Sequence, residues 1–332
     1  MKTPIPYLNP PSVTVSVSMN DEHEVRFLQI LRGIADLEQA DAALVGFPFD
    51  GGTVGGRAGS RHAPREIRLA FTASRTYDPH LDVELSDSLT VVDAGDIAVV
   101  YTNVQRTLEQ GQMAIARLLQ NKAVPIIIGG DHLITYPCLR ALMETTPGRI
   151  GVINFDSHFD VRVSSGGEIS SGTPFRMAME RSGGKFSPRN FVEIGPHGFH
   201  TQRVYRRYLD EQGCLLFTSH DVHRRGIHDV LEQVIARATD GVDALYVSVD
   251  IDVLDMAWAP GTNNPTPGGL TALQILEAVA VLGRHPLTRA FDLVEISPPL
   301  DVANTTVIMG REIVMNFLGG LALRKQVGYA AS

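Results

Sequence analysis

Gly151-Val-Ile-Asn-Phe-Asp-Ser-His-Phe-Asp-Val-Arg162 is the stretch that decides the reading of this chain. The apolar run from Ile150 to Phe155 predicts a buried parallel strand. Asp156, His158 and Asp160 then stand at alternate positions. On an extended chain such positions share one face. Three metal-capable side chains are thus expected to converge just past a strand end, where ligands bind in open α/β sheets.

Working outward, the same grammar repeats. Ala42 to Phe47 predicts a strand that runs into the glycine-rich loop Pro48 to Ser60. That loop has neither a P-loop ending nor a dinucleotide spacing, so it is read as close-packed backbone lining a pocket. Leu89 to Asp93 and Val124 to Ile128 predict strands, the latter stopping at Gly129-Gly-Asp-His132. Ala244 to Asp252 predicts a strand ending in two carboxylates, Asp250 and Asp252. Ala290 to Ile296 is the last strand and carries Glu295. Phe191 to Ile194 and Cys214 to Phe217 are shorter ones.

Helices are expected between them: Asp21 to Leu37, from Pro64, Val104 to Gln120, Thr135 to Met143, from Pro174 through Ala178, Gln202 to Leu209, Ile227 to Ala238, Thr271 to Leu282 and Val302 to Leu323. Residues 1–20 read as an extended arm over the surface or towards a neighbouring subunit. Residues 21–332 show no linker or repeat and read as one α/β domain with a mainly parallel sheet and helices on both faces.

Composition narrows the function. The 332 residues are 44% hydrophobic and carry a net charge of -8. This argues against nucleic-acid and basic membrane surfaces. No apolar run long enough to span a bilayer and no signal peptide is expected. Two distant cysteines, Cys138 and Cys214, point to a reducing, cytoplasmic setting.

Every strong polar cluster sits at the C-terminal end of a predicted strand, and in a parallel sheet those ends share one edge. His132, Asp156, His158, Asp160, Asp250 and Asp252 supply two imidazoles and four carboxylates. Such donors suit hard or borderline divalent ions, Mn²⁺ first, with Ni²⁺ as the alternative. Four carboxylates exceed the need of one ion and suit two about 3.5 Å apart. The chemistry this predicts is metal-assisted hydrolysis at an electron-poor carbon.

Gly-Gly-Asp-His132, Asp156-x-His158-x-Asp160 and Ser-Val-Asp250-x-Asp252 together resemble the signature motifs of the ureohydrolases, the arginase–agmatinase–formimidoylglutamase superfamily. The resemblance extends from Val45-Gly-Phe-Pro-Phe-Asp-Gly-Gly to Glu295-Ile-Ser-Pro. It implies a three-layer α/β/α sandwich with an eight-stranded sheet, two Mn²⁺ per chain, and a homo-oligomer, trimer or hexamer. It implies that His132, Asp156, Asp160 and Asp250 hold one ion. Asp156, His158, Asp250 and Asp252 hold the other, with Asp156 and Asp250 bridging. Asp160 also orients the nucleophile, and Glu295 pairs with the substrate's guanidinium or amidinium.

Within the family the motifs divide. Phe49-Asp-Gly-Gly, Arg61-His-Ala-Pro-Arg-Glu-Ile-Arg and Ala259-Pro-Gly-Thr262 are similar to the agmatinase branch. His158-Phe-Asp-Val-Arg162 and Ser170-Ser-Gly-Thr-Pro-Phe-Arg176 are similar to formimidoylglutamase. Ser171 stands where the arginases and agmatinases carry a loop histidine that carries protons; either the leaving group here needs no such shuttle, or another group supplies it, with His197 and His200 as candidates. Arg162, Arg176, Ser171 and Thr262 complete the expected substrate-binding set. The two arginines favour a carboxylate tail. The expected reaction is formimidoyl-glutamate to glutamate and formamide. The alternatives are release of urea from agmatine, a guanidino acid or guanidine. A non-catalytic subunit or a single-zinc deacetylase fits the carboxylate-rich set less well.

Overall fold

Apolar runs rich in Val, Ile and Phe become eight parallel strands in the computed structural model, which describes residues 5–16, 21, 23–164 and 168–328. In chain order they are β1 (Ala42–Gly46), β2 (Val91–Ile97), β3 (Val124–Ile128), β4 (Ile150–Phe155), β5 (Phe186–Ile194), β6 (Leu215–Phe217), β7 (Ala244–Asp250) and β8 (Thr288–Val294). Their order in space is β2-β1-β3-β8-β7-β4-β5-β6. The expected mainly parallel α/β sheet is present. Two short strands extend it to ten: Leu31–Gly33 and Leu8–Asn9 both pair with the outer edge of β2.

The period of two along each strand divides the interior into two cores. Ala42 and Leu44 of β1 belong to one, Ala43 and Val45 to the other. Helices α1 (Ala63–Ala70), α7 (Ile227–Ala238), α8 (Ala272–Arg284) and α9 (Thr305–Gln326) cover the first core. Helices α2 (Val104–Gln120), α3 (Thr135–Thr145), α4 (Pro174–Glu180) and α5 (Arg203–Gln212) cover the second. The short α6 (Ser219–Arg225) adds Val222 to the first. Local chemistry starts and stops these helices. Asn103 caps α2, and Thr271 forms a capping box with Gln274 of α8. Gly213, at φ 72°, stops α5 in the left-handed conformation.

One expectation is corrected. No single helix covers Asp21 to Leu37. Phe27–Ile30 makes one turn, Leu31–Gly33 pairs with Val91–Asp93, and Ile34–Gln39 is a 3₁₀ helix. Backbone bonds to an open sheet edge outweigh the weak helix preference of a stretch containing Gly33. Of the N-terminal arm, residues 1–4 and 17–20 lie outside the described residues. Leu8 and Asn9 pair with Ile97 and Asp96 of the same chain. Helix α9 is long and apolar enough to cross a membrane by length and composition, yet 67% of that window is buried inside the fold. Its apolar residues meet α8, α1 and the sheet rather than forming an uninterrupted run.

The α8–α9 contact depends on absent side chains. A Cβ on Gly320 would lie 2.1 Å from the Ala280 carbonyl oxygen, and one on Gly283 would lie 2.5 Å from that of Phe317. Gly320→Ala is therefore expected to cost about 1–3 kcal/mol through forced separation of the helices. Urea denaturation would show a lower midpoint at an unchanged slope. An unchanged midpoint would mean that the helices do not approach this closely.

Candidate metal centre

β3, β8, β7 and β4 are four consecutive strands, and each delivers an acid or imidazole at its C-terminal end. His132 follows the Gly129-Gly130 turn after β3. Gly130 is required there, because a Cβ would sit 1.8 Å from the Phe49 carbonyl oxygen. Glu295 follows β8. Asp250 ends β7, and Asp252 lies in the 3₁₀ turn Ile251–Val253 that Asp250 caps, with the Asp252 N–H donating to Asp250 Oδ1 at 2.9 Å. Asp156, His158 and Asp160 follow β4.

The strand stops at Phe155, so the alternate positions meet through a loop and not along an extended chain. Asp160 falls beside His132 and His158 beside Asp252, with Asp156 between the two histidines. His132 Nδ1 lies 3.2 Å from Asp156 Oδ2, 3.0 Å from Asp160 Oδ2 and 3.3 Å from Asp250 Oδ2. His158 Nδ1 lies 3.2 Å from both Asp156 Oδ1 and Asp252 Oδ2. Two triads thus share Asp156: His132, Asp156 and Asp250, and Asp156, His158 and Asp252. Asp160 and Glu295 are also held at positive φ, 44° and 64°. Non-glycine residues adopt that conformation at a cost, and such strain gathers at functional sites.

The donors fit ions and fit poorly without them. His132 Nδ1 and Asp156 Oδ2 are buried with no hydrogen-bond partner, although oppositely charged groups surround them. Burial disfavours a charged His132, yet its three carboxylate neighbours raise its pKa well above the usual range. Despite its burial, Asp156 is held far below the ordinary range by both histidines. Burial and the neighbouring charges of Asp252 and Asp156 push Asp250 well up. Burial and the charge of Asp131 do the same to Glu295. Two divalent ions would neutralise the four carboxylates Asp156, Asp160, Asp250 and Asp252 in full, which two imidazoles cannot.

A pocket of about 340 Å³ opens over this cluster, lined by Val54, Arg57, His158, Asp160, Arg162, Ser171, His200, Asp250, Asp252, Asn263, Asn264 and Glu295 among others. Glu295 Oε1 accepts the His132 N–H at 3.0 Å, while the buried Oε2 has no partner. Thr262 pairs with Ile296, beside Glu295, and its buried hydroxyl is also unpartnered. Ser171 is tied to the glycine-rich loop, its N–H donating to the Gly52 carbonyl at 2.8 Å.

Arg176 is not part of this pocket, which corrects the expectation. It lies on α4, pairs with Glu180 one turn later at 2.7 Å, and stacks 4.2 Å from the Tyr208 ring centroid. Residues 165–167 of the loop between the two arginines lie outside the described residues. Of the two histidine candidates, His200 reaches the pocket and His197 does not line it. His200 Nε2 meets Thr266 Oγ1 at 2.9 Å. Burial and the neighbouring His158 lower its pKa.

Sequence reasoning missed three polar pocket residues. Asn264 Nδ2 lies 2.8 Å from His158 Nε2. Arg57 comes from a loop read only as backbone, and Asn263 follows Thr262, the one residue singled out in its loop. Gly55 and Gly56 before Arg57 and Gly59 two residues after it, all at positive φ, were the available signal.

The arginase family model matches residues 40–319. Formimidoylglutamase of Halalkalibacterium halodurans is 34% identical over 85% of this chain and 87% of its own. Guanidinobutyrase of Pseudomonas aeruginosa is 34% identical over 86% and 87%. The structure of Trypanosoma cruzi formiminoglutamase, solved with two Mn²⁺, superposes with a TM-score of 0.84 at 28% identity, over 91% of this chain and 99% of that one.

If Asp250 serves both ions, Asp250→Asn is expected to lower metal content at both positions while the circular dichroism spectrum stays native. Elemental analysis after dialysis measures this. Full occupancy in a folded variant would refute the bridging role.

Proposed function

The chain belongs to the arginase family, hydrolases acting on linear amidines, and on that premise we propose that its substrate is an amidine with a carboxylate tail, formimidoyl-glutamate first and a guanidino acid second. One observation carries the tail reading. Arg57 and Arg162 line the same pocket as Glu295, and neither forms an ion pair among the described residues. Unpaired guanidinium groups attract a carboxylate and repel the ammonium tail of agmatine. Ser171 in place of the usual loop histidine supports the same branch. The second reading draws on the equal identity to a guanidinobutyrase.

His132, Asp156, Asp160 and Asp250 would hold one ion, and Asp156, His158, Asp250 and Asp252 the other. When bound, such ions supply a water of lowered pKa and positive charge at the reacting carbon. The remaining steps belong to the chain. Glu295 Oε2, buried and free, accepts an N–H of the planar amidinium and fixes its carbon over the acids. Thr262, whose bridge partner Ile296 adjoins Glu295 and whose buried hydroxyl is unpartnered, would accept a second. Asp160 takes a proton from the attacking water and returns it to the departing nitrogen. His200, at the rim, is the other group able to carry that proton. For formimidoyl-glutamate, water adds to the formimidoyl carbon, the bond to the amino-acid nitrogen breaks, and formamide and glutamate leave.

Two measurements test this reading. Glu295→Gln is expected to keep two ions per chain and lose turnover; loss of metal would make Glu295 a ligand instead. The second is kcat/KM for formimidoyl-glutamate, guanidinobutyrate and agmatine. Arg162→Ala should cost about 2–5 kcal/mol of transition-state binding for the first substrate. Arg57→Ala should cost less, because Arg57 is exposed. Good turnover of agmatine, unchanged by either substitution, would overturn the carboxylate-tail reading.

A further inference from the structure

One row beneath the metal ligands, four strands bring polar side chains into register. Glu193 of β5 stands beside Asn154 of β4, Asn154 beside Ser248 of β7, and Ser248 beside Asp292 of β8. All four are completely buried. The period of two puts Asn154 below Asp156 and Ser248 below Asp250. A buried polar row of this kind is costly unless every member is bonded. Its β7–β8 half is saturated. Asp292 accepts from Ser248 Oγ, Tyr246 Oη and Thr135 Oγ1, each at 2.6 Å.

Ser248 Oγ has a second neighbour, His132 Nε2, at 3.0 Å. A hydroxyl carries one proton. Ser248 gives that proton to the Asp292 carboxylate, so towards His132 its oxygen can only accept. Nε2 must therefore carry a ring proton. An ion at Nδ1 then meets the lone pair of a neutral imidazole. That atom faces Asp156, Asp160 and Asp250 and has no hydrogen-bond partner. Phe175 packs edge-on against the same ring, with centroids 5.2 Å apart, and limits its rotation.

We propose that Asp292, acting through Ser248, is a positioning residue that locks His132 as the Nε2-protonated tautomer and so presents Nδ1 to the metal. Outer partners of this kind orient a ligating imidazole and raise its basicity. The inference rests on the metal-centre reading given above. It differs from a purely structural role for Asp292, which would be to anchor α3 to the sheet through Thr135.

The test is Mn²⁺ affinity, measured by competition with a chelator on the purified chain and its variants. Ser248→Ala removes the acceptor for His132 and should weaken binding about 10–100-fold. Ser248→Thr keeps the hydroxyl and should restore most of it. Asp292→Asn should weaken binding similarly. Two hydroxyls hold its carbonyl oxygen on the Oδ2 side, so the amide faces Ser248 and reverses the direction of that bond. The double variant Ser248→Ala/Asp292→Asn should lose no more than Ser248→Ala alone. Thr135→Val breaks only the anchor and should bind as wild type.

Wild-type affinity in Ser248→Ala would overturn the proposal, and that variant decides the matter if Asp292→Asn does not fold. So would losses that multiply in the double variant, or an equal loss in Thr135→Val. A wild type that binds no Mn²⁺ would overturn the metal centre itself. A wild type that binds two ions, with variants that bind as tightly, would overturn only the role of Asp292.

Discussion

Mutual repulsion among buried carboxylates is the constraint on which the rest of this structure depends. Asp156, Asp160, Asp250 and Asp252 meet around two imidazoles at a strand edge closed off from most solvent. Like charges in such a place cannot all ionise without strong compensation. The opposed shifts at Asp156 and Asp250 express that conflict within one cluster. Two divalent cations would remove it. The surrounding fold can be understood as a rigid mount that keeps the conflict from relaxing.

That mount is topological. The chain lays down β3 and β4 in sequence, then returns β7 and β8 between them. Four strand ends separated by more than 160 residues, from His132 to Glu295, thereby become neighbours. Glycines make the turns tight enough. Gly129-Gly130 passes under Phe49, which ties the glycine-rich loop to the centre, and Asp131 fastens the same loop through the Gly52 N–H at 2.6 Å. The loop that carries Arg57 is thus anchored at its base to Asp131, the residue beside the candidate ligand His132.

Much of this was legible in the chain. Strand ends bearing His132, Asp156, Asp250 and Glu295 follow from apolar runs that stop at charged residues, and parallel strands put such ends on one edge. The order of the strands was not legible, because periodicity identifies elements and not their neighbours. The loop geometry past Phe155 was not legible either: Asp160 adopts a positive φ that no alternation rule predicts. Arg176 shows the opposite failure. Its partner Glu180 stands four residues on, a pairing readable from spacing once the helix is allowed to run past Ala178. The stretch from Asp21 to Leu37 misled because helical spacing of apolar residues says nothing about an unfilled sheet edge nearby. Arg57 was hidden by residue type, since an arginine among glycines carries no periodic signal.

The central claim is that this strand edge is a two-ion site. Anomalous diffraction at the manganese edge, from crystals grown with Mn²⁺, tests it most directly. The account predicts two peaks about 3.5 Å apart, one against His132 Nδ1 and the other against His158 Nδ1, with Asp156 and Asp250 between them. A single peak, or none, at full Mn²⁺ would contradict it.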